Sequence, residues 1–558
     1  MKKIIYILSA IVVMTSCSLQ EKPYGTIGHD AFYKNETQCT AALNSIYEIF
    51  KIYNSQFVFM SECCSDTWRA DATTDDAFLN ISPSNPGAGN NVWTKMYAGI
   101  KNANEAIYYI ERSELDPAVK YRLSAEGRVL RGFAYYTLTA LFGGVPYYTC
   151  PVSSYAVQDS IRYLPRTDAR LVRQMVYDDI KDNALPYFTE ENGLRKRTSE
   201  VKGNRAGYAM GLMIMAKCAM WNQDWDAALE PLNALQELYG DFRDTPEAFE
   251  TAYPLEETMW RCKNEDESIF EAQHAYSLTG IQYNGGLAQV FTPKFNEGLF
   301  DGVAMDGYGT NLPSWNGAYS NKHFARYYYD PNKDTPTLTS DSKNSLFYPL
   351  PIKATTFDVE AKKWNVEIDL DAIASMTVDG MKIDRRALIC LGMGNLETGE
   401  VFGKVKSNGV FWGGPKFWCP DIIQGYDSNN YNIFRYADAI LMLAECHAMQ
   451  ENGMESLKYY NIIRTRAGVS TEKAYYGSED MMTLIRAERA RELCGEFTRK
   501  FDLVRWGVWY DYARSYNDRL NTAAYKDKWS ECHEYYPIPD KQCALSDYAI
   551  SNPAYGAK

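Results

Sequence analysis

Apolar residues recur at intervals of three and four over much of the chain, a spacing that lays one apolar stripe along a helix. In residues 37–54 the stripe is Ala41, Ile46, Ile49 and Phe50. In residues 92–112 it is Val92, Met96, Ile100, Ala103, Ile107 and Ile110, and Trp93 reads as a core residue of the same helix. A third stripe over 118–142 ends at Gly143-Gly144-Val145-Pro146, where a glycine followed by a proline stops a helix. Residues 205–240 fit the tetratricopeptide pattern of helix, short turn (Asn222-Gln223-Asp224-Trp225) and helix. Ala216 and Ala228 fall where the two helices need small residues, and Leu212, Trp225 and Leu232 at the large apolar positions. A weaker copy over 433–468 has Ala444 and Ser456 at the small positions and Ile440, Tyr460 and Ile463 at the large ones. Hairpins with one apolar face must stack on neighbours. The pattern therefore predicts a mainly α fold, a scaffold of tetratricopeptide-like helical hairpins.

Residues 241–430 break this rhythm. Gly280 to Pro336 is dense in Gly, Asn, Tyr and Pro, while 346–420 holds short alternating runs such as Val366-Glu367-Ile368-Asp369-Leu370, which predict small strands. The Trp and Tyr content argues against disorder, and long irregular segments on a compact scaffold usually carry function. The expected organisation is a helical part over 37–240, a large irregular, loop-rich, ligand-facing insertion over 241–430, and a second helical part over 431–558 that completes the scaffold.

The first residues bear on location. Lys2 and Lys3 precede an apolar run from Ile4 to Met14, followed by the small residues Thr15 and Ser16 and then Cys17. The run is too short to cross a bilayer of ~30 Å as a helix but suits an export signal. A cysteine directly after the small residues has the form of a lipobox. Residues 1–16 are thus expected to be a lipoprotein signal peptide, Cys17 the lipidated residue, and 17–36 a tether. The formal charge of −13 argues against a nucleic-acid partner, which needs a basic footprint. The 43 tyrosines suit wet recognition surfaces, since each offers an apolar ring with a polar tip. No C-x-x-C pair occurs, so the remaining cysteines are expected mostly as small buried hydrophobes.

The C-terminal half carries several separate motifs. Arg435-Tyr436-Ala437-Asp438-Ala439-Ile440-Leu441-Met442-Leu443-Ala444-Glu445 is followed by Asn461-Ile462-Ile463-Arg464-Thr465-Arg466-Ala467-Gly468 and Glu488-Arg489-Ala490-Arg491-Glu492-Leu493. Then come Arg499-Lys500-Phe501-Asp502-Leu503-Val504-Arg505-Trp506 and Tyr536-Pro537-Ile538-Pro539. In order and spacing these resemble the SusD/RagB family of outer-membrane nutrient-binding lipoproteins. The N-terminal half agrees through Trp93, Tyr97 and Asn104, and through Arg131, Phe133, Tyr135, Leu138, Phe142 and Val145-Pro146. One departure is Ser551-Asn552-Pro553-Ala554-Tyr555, where the family has Q-N-P-G-Y. The resemblance implies a lipid anchor at the cell surface and an oligosaccharide or polysaccharide ligand. It also implies a SusC-like TonB-dependent outer-membrane transporter as partner. Contact with the membrane would be through the lipid only. Independently of the family, Arg464, Arg466, Arg489 and Arg491 lie among Glu445, Glu488, Glu492, Glu496 and Asp502, a set suited to locking helix to helix through bidentate pairs.

A glycan site needs flat apolar faces for sugar C–H surfaces and polar groups for hydroxyls. Three segments qualify: Ser65–Asp71, Gln282–Gly286 and Asp306–Asn316. The candidate ligand residues are Trp68, Arg69, Tyr283, Asn284, Tyr308, Asn311, Trp315 and Asn316, with Trp68 and Trp315 as ring platforms; the competing use of all of them is loop packing. No metal or other cofactor is expected. Asp330, Asn332 and Asp334 copy the opening of a calcium loop, but Thr335 stands where glycine is required and Pro336 interrupts. The five histidines form no zinc motif. S-x-x-K at Ser199, Ser340 and Ser470 lacks its companion motifs. Binding without catalysis is expected. A surface glycoside hydrolase on the helical scaffold, a peptide-binding relative and a pure scaffold protein stay open at this point, because carboxylate pairing in space is not legible from sequence.

Overall fold

A computed structural model of the chain describes residues 32–70, 80–192, 194–195, 205–255, 263–274, 286–291, 318–321, 323–324, 352–358, 363–368, 377–378, 381–382, 384–390, 400–401, 404–405, 413–417 and 429–556. Most of the described residues are helical. The first predicted helix is divided: α1 (Glu36–Asn44) gives way at Ser45 to a tighter 3₁₀ segment, Ile46–Ile52. The Ser45 hydroxyl turns back to the Ala42 carbonyl at 2.7 Å, taking an acceptor at the end of α1.

The long stripes become α2 (Gly89–Glu111) and α3 (Pro117–Phe142), which pack against each other, and Trp93 is buried on α2. Asp116 caps α3 by accepting from the Ala118 N–H at 2.8 Å, with Pro117 at the first helical position. At its other end Gly143 takes φ +71°, a left-handed exit that suits glycine. Behind α3 lies α4 (Ala169–Asn183).

The first hairpin is α5 (Tyr208–Trp221) and α6 (Trp225–Tyr239), with Ala216 and Ala228 fully buried. Asp224 caps α6 through the Ala227 N–H at 3.0 Å. Pro231 sits inside α6 and has no N–H for the carbonyl four residues back. That carbonyl, on Ala227, instead accepts from the Tyr177 hydroxyl at 3.0 Å, so α4 supplies the bond the proline removed.

After α7 (Arg385–Cys390), the second hairpin is α8 (Tyr436–Met449) and α9 (Gly453–Arg466). Ser456 fills the small position, and its hydroxyl donates to the Ala444 carbonyl at 2.7 Å. The two hairpins touch through α6 and α8 and through a buried Lys217–Asp438 pair at 2.6 Å. Helices α10 (Ser478–Glu492) and α11 (Arg499–Arg505) follow.

Strands are few and short, as the alternating runs predict. In chain order those used below are β1 (Trp68–Ala70), β2 (Ser268–Ala272), β3 (Ala318–Ser320), β4 (Ile352–Asp358), β5 (Lys363–Ile368) and β6 (Tyr431–Arg435). β4 and β5 form one antiparallel pair containing the Val366–Ile368 run, with Thr355 opposite Val366. β2 and β6 pair antiparallel with a break in register around Phe434, so they join chain near the start of the insertion to chain at its end.

The arginine–carboxylate set is buried, and it reaches further than helix to helix. Glu492 of α10 accepts from Arg435 at 2.7 Å, Arg466 at 2.5 Å and Arg386 at 2.9 Å. Arg386 lies on α7 and also meets Glu488 at 2.6 Å. Glu267, just ahead of β2, takes Arg466 at 2.6 Å and Arg435 at 2.9 Å. Lys416 reaches Glu496 at 2.5 Å. Three pieces of the insertion are thereby clipped to the C-terminal helices. Such networks hold geometry more than they add stability, because desolvation offsets much of the Coulomb gain.

Candidate functional site

The structure organises the roots of the loops that carry the candidate residues. β1 pairs antiparallel with β3, Trp68 opposite Ser320, Arg69 opposite Tyr319 and Ala70 opposite Ala318. This register sets Ala70 directly beside Ala318.

Buried polar side chains fix the chain leading into β1. Asn517 is fully buried, and its Nδ2 donates to the carbonyls of Ser65 (2.7 Å), Trp68 (3.1 Å) and Cys63 (3.2 Å). Its Oδ1 accepts from the N–H groups of Leu520 and Arg519. Asn321, directly after β3, donates from its backbone to Thr67 O at 2.8 Å and from Nδ2 to Ser65 O at 3.2 Å. Asp66 is held bidentately by Arg499 of α11 at 2.8 and 2.7 Å. Beside them Glu62 is buried and accepts from the Arg499 N–H at 3.4 Å; desolvation pushes its carboxyl up to about 8, so it carries its proton at neutral pH.

An aromatic cluster clasps the loop roots on the other side. The Trp68 ring meets Phe291 edge-on at 4.8 Å, Phe417 at 5.8 Å and Phe324 at 6.0 Å, while Phe291 and Phe417 stack at 4.2 Å. Two glycines permit this closeness. A Cβ on Gly413 would lie 2.6 Å from Phe417 and 2.8 Å from Phe291; one on Gly495, which has φ +71°, would lie 2.5 Å from Phe417. Nearby, the Tyr431 hydroxyl of β6 accepts from the N–H groups of Gly286 (2.6 Å) and Leu287 (3.0 Å), fixing the chain just after Gln282–Gly285. A small cavity of about 40 Å³ lies there, lined by Leu287, Phe417, Tyr431 and Phe497 among others.

One expectation is corrected by this geometry. Trp68 is 0% exposed, so its indole has no open face for a sugar; it is the keystone of the aromatic cluster. Its neighbour Arg69 is half-buried on the same strand. Tyr283, Asn284, Tyr308, Asn311, Trp315 and Asn316 lie outside the described residues, as do Cys17 and the Asp330–Asp334 motif. Sequence reasoning missed Asn517, Asn321 and Tyr431. An asparagine just after a helix is a weak sign of a turn anchor, and Tyr431 carried no signal among 43 tyrosines. Most described cysteines are buried, Cys150 being exposed and Cys532 half-exposed.

Among the described residues the architecture is that of a helical scaffold with a small strand content. Two family models match it: a SusD family model over residues 421–555, and one described as "Starch-binding associating with outer membrane" over residues 29–183. SusD-like protein P25 of Formosa agariphila is 22% identical over 96% of this chain and 95% of its own length. A SusD superfamily protein from Bacteroides vulgatus superposes with a TM-score of 0.66 at 18% identity, covering 94% of this chain and 100% of that one. Surface glycan-binding protein A from Bacteroides thetaiotaomicron, in complex with laminarihexaose, gives 0.59 at 21% identity, covering 92% and 99%. The chain belongs to the SusD/RagB family.

Proposed function

We propose that this protein is a cell-surface lipoprotein of the outer membrane that captures oligosaccharides, without cleaving them, and passes them to a SusC-like TonB-dependent transporter. The observation that carries the reading is the Ala70–Ala318 pairing. It fixes the chain end that follows segment 292–317, which is rich in aromatic and amide side chains, beside the strand that carries Arg69. Asn316 and Trp315 stand two and three positions before Ala318. At no more than ~3.6 Å per residue, Asn316 is tied within about 7 Å of that Cα. Trp315 then takes the platform role, with Asn316, Asn311, Tyr308, Arg69, Tyr283 and Asn284 serving sugar hydroxyls. Support for the ligand class comes from the laminarihexaose complex of a fold relative and from the starch-binding description of the N-terminal family match. Cys17 supplies the anchor, and diacyl attachment gives the two chains that stable membrane binding requires.

Calorimetric titration with a panel of neutral glucans, laminarihexaose included, tests the reading. Saturable binding with no release of reducing ends is the expected result. Hydrolysis, or no affinity for any glycan, overturns it.

A further inference from the structure

A cavity of about 490 Å³ lies between the end of α3 and the C-terminal segment. Its wall includes Phe142, Arg166, Glu531, Glu534, Tyr535 and Tyr555. None of its lining residues comes from 241–430. Its volume falls within the roughly 300–1,000 Å³ of small-molecule sites.

Three features mark it as a site and not a packing defect. Its walls are preformed: the Tyr536 N–H donates to Leu141 O at 2.7 Å, and the Tyr555 hydroxyl donates to Tyr535 O at 2.7 Å. Asn552 exchanges two 2.7 Å bonds with the backbone of Ile538. Second, the wall offers tyrosine rings, Tyr535 and Tyr555 both half-exposed. Third, its charges are not spent on one another. Arg166 donates to three backbone carbonyls, of Gly144 (2.7 Å), Phe142 (2.7 Å) and Ser551 (2.9 Å). Among the described residues it forms no ion pair, and of the five N–H donors of a guanidinium two stay available. Glu531 and Glu534 likewise form no ion pair among the described residues.

We infer that this cavity is a second saccharide site, taking one or two rings of a neutral oligosaccharide. A ring face stacks on tyrosine, while hydroxyls, which both donate and accept, satisfy carboxylates and guanidinium together. An anionic ligand would face Glu531 and Glu534, and a cationic one Arg166. A neutral polyol meets neither conflict. A peptide strand would seek an unpaired sheet edge, and the wall contains no strand. The inference extends the glycan reading of the protein but does not share its residues.

Hydrogen exchange of the full chain, read by mass spectrometry with laminarihexaose, cellohexaose, maltohexaose or hexaalanine at millimolar concentration, tests it. At least one sugar is expected to protect residues 531–555. The double variant E531A/E534Q, on exposed and half-exposed side chains, is expected to weaken that protection about tenfold with an unchanged melting curve. W315A should leave it intact. Protection at 531–555 that survives W315A supports the inference even if the insertion binds nothing. No protection there by any sugar, or protection by hexaalanine only, overturns it even if the insertion binds glycan.

Discussion

Asn517 donates to the carbonyl oxygen of Trp68 at 3.1 Å, while both residues are shut away from solvent. The same Nδ2 serves Ser65 and Cys63, so one carboxamide holds the turn from which β1 departs. Replacing it with alanine strands buried carbonyls, each unmet group costing about 1–3 kcal/mol. N517A should lower the melting temperature by several degrees and weaken glycan affinity, because the loop roots slacken. Differential scanning fluorimetry and calorimetric titration of the same preparation check this; an unchanged melting point removes Asn517 from the role of anchor.

Trp68 and Trp315 separate support from contact. W68A empties the centre of the Phe291–Phe324–Phe417 cluster and should destabilise by about 3–5 kcal/mol, as large-to-small aromatic changes in cores do. W315A removes the proposed platform and should cut affinity tenfold or more at unchanged melting temperature. If W68A weakens binding while stability holds, the core assignment of Trp68 fails.

How much of this was readable beforehand differs by region. The helices were legible because one-faced burial imposes a period, and the small residues Ala216, Ala228, Ala444 and Ser456 mark where hairpins close. The arginine motifs were legible as ion pairs, though not their reach to Glu267, Arg386 and Lys416, since distant partners leave no spacing in sequence. Trp68 stood among the ligand candidates because a ring set among polar side chains has the composition of a glycan site, and composition does not report burial. A strand of three residues buries alternate side chains, and Thr67 and Asp66 face their own buried partners. Local polarity reports composition, whereas burial is decided by chain hundreds of residues away, here Asn517 and Arg499.

Acid should act through the buried network. Glu488 and Glu492 are held well below the ordinary carboxylate value of 4.5 by the arginines around them, Glu488 at about 2. Groups depressed on folding stabilise fully above their unfolded value and lose that contribution as pH falls through the folded one. Stability should therefore decline between about pH 4.5 and 2. E492Q leaves Arg386, Arg435 and Arg466 with less counter-charge and should cost about 3–5 kcal/mol at pH 7. Urea titrations at a series of pH values measure both, and an E492Q protein as stable as the parent would show that the network is not held together by this charge.

The anchor is tested by C17A in the native host. The variant should leave the membrane pellet for the soluble fraction, since nothing else in the reading binds it to lipid; no described helix is long and apolar enough to cross a membrane. Retention in a pellet stripped of the transporter contradicts lipidation at Cys17.

Glu62 works in the opposite sense from Glu488. Its carboxyl is raised by burial to about 8, so the folded state holds a proton the unfolded chain releases near 4.5. Its contribution is complete below about pH 4.5 and fades as pH rises through 8. E62Q keeps an acceptor for the Arg499 N–H without an ionisable group. It should match the parent at pH 5 and exceed it in melting temperature at pH 8.5, where the parent must either bury a charge or lose the turn that carries Asp66 and β1. Glycan affinity of the parent, but not of E62Q, should fall over the same interval. Parallel melting curves of the two proteins from pH 5 to 8.5 would show that Glu62 is ionised throughout and that its burial is compensated by Arg499.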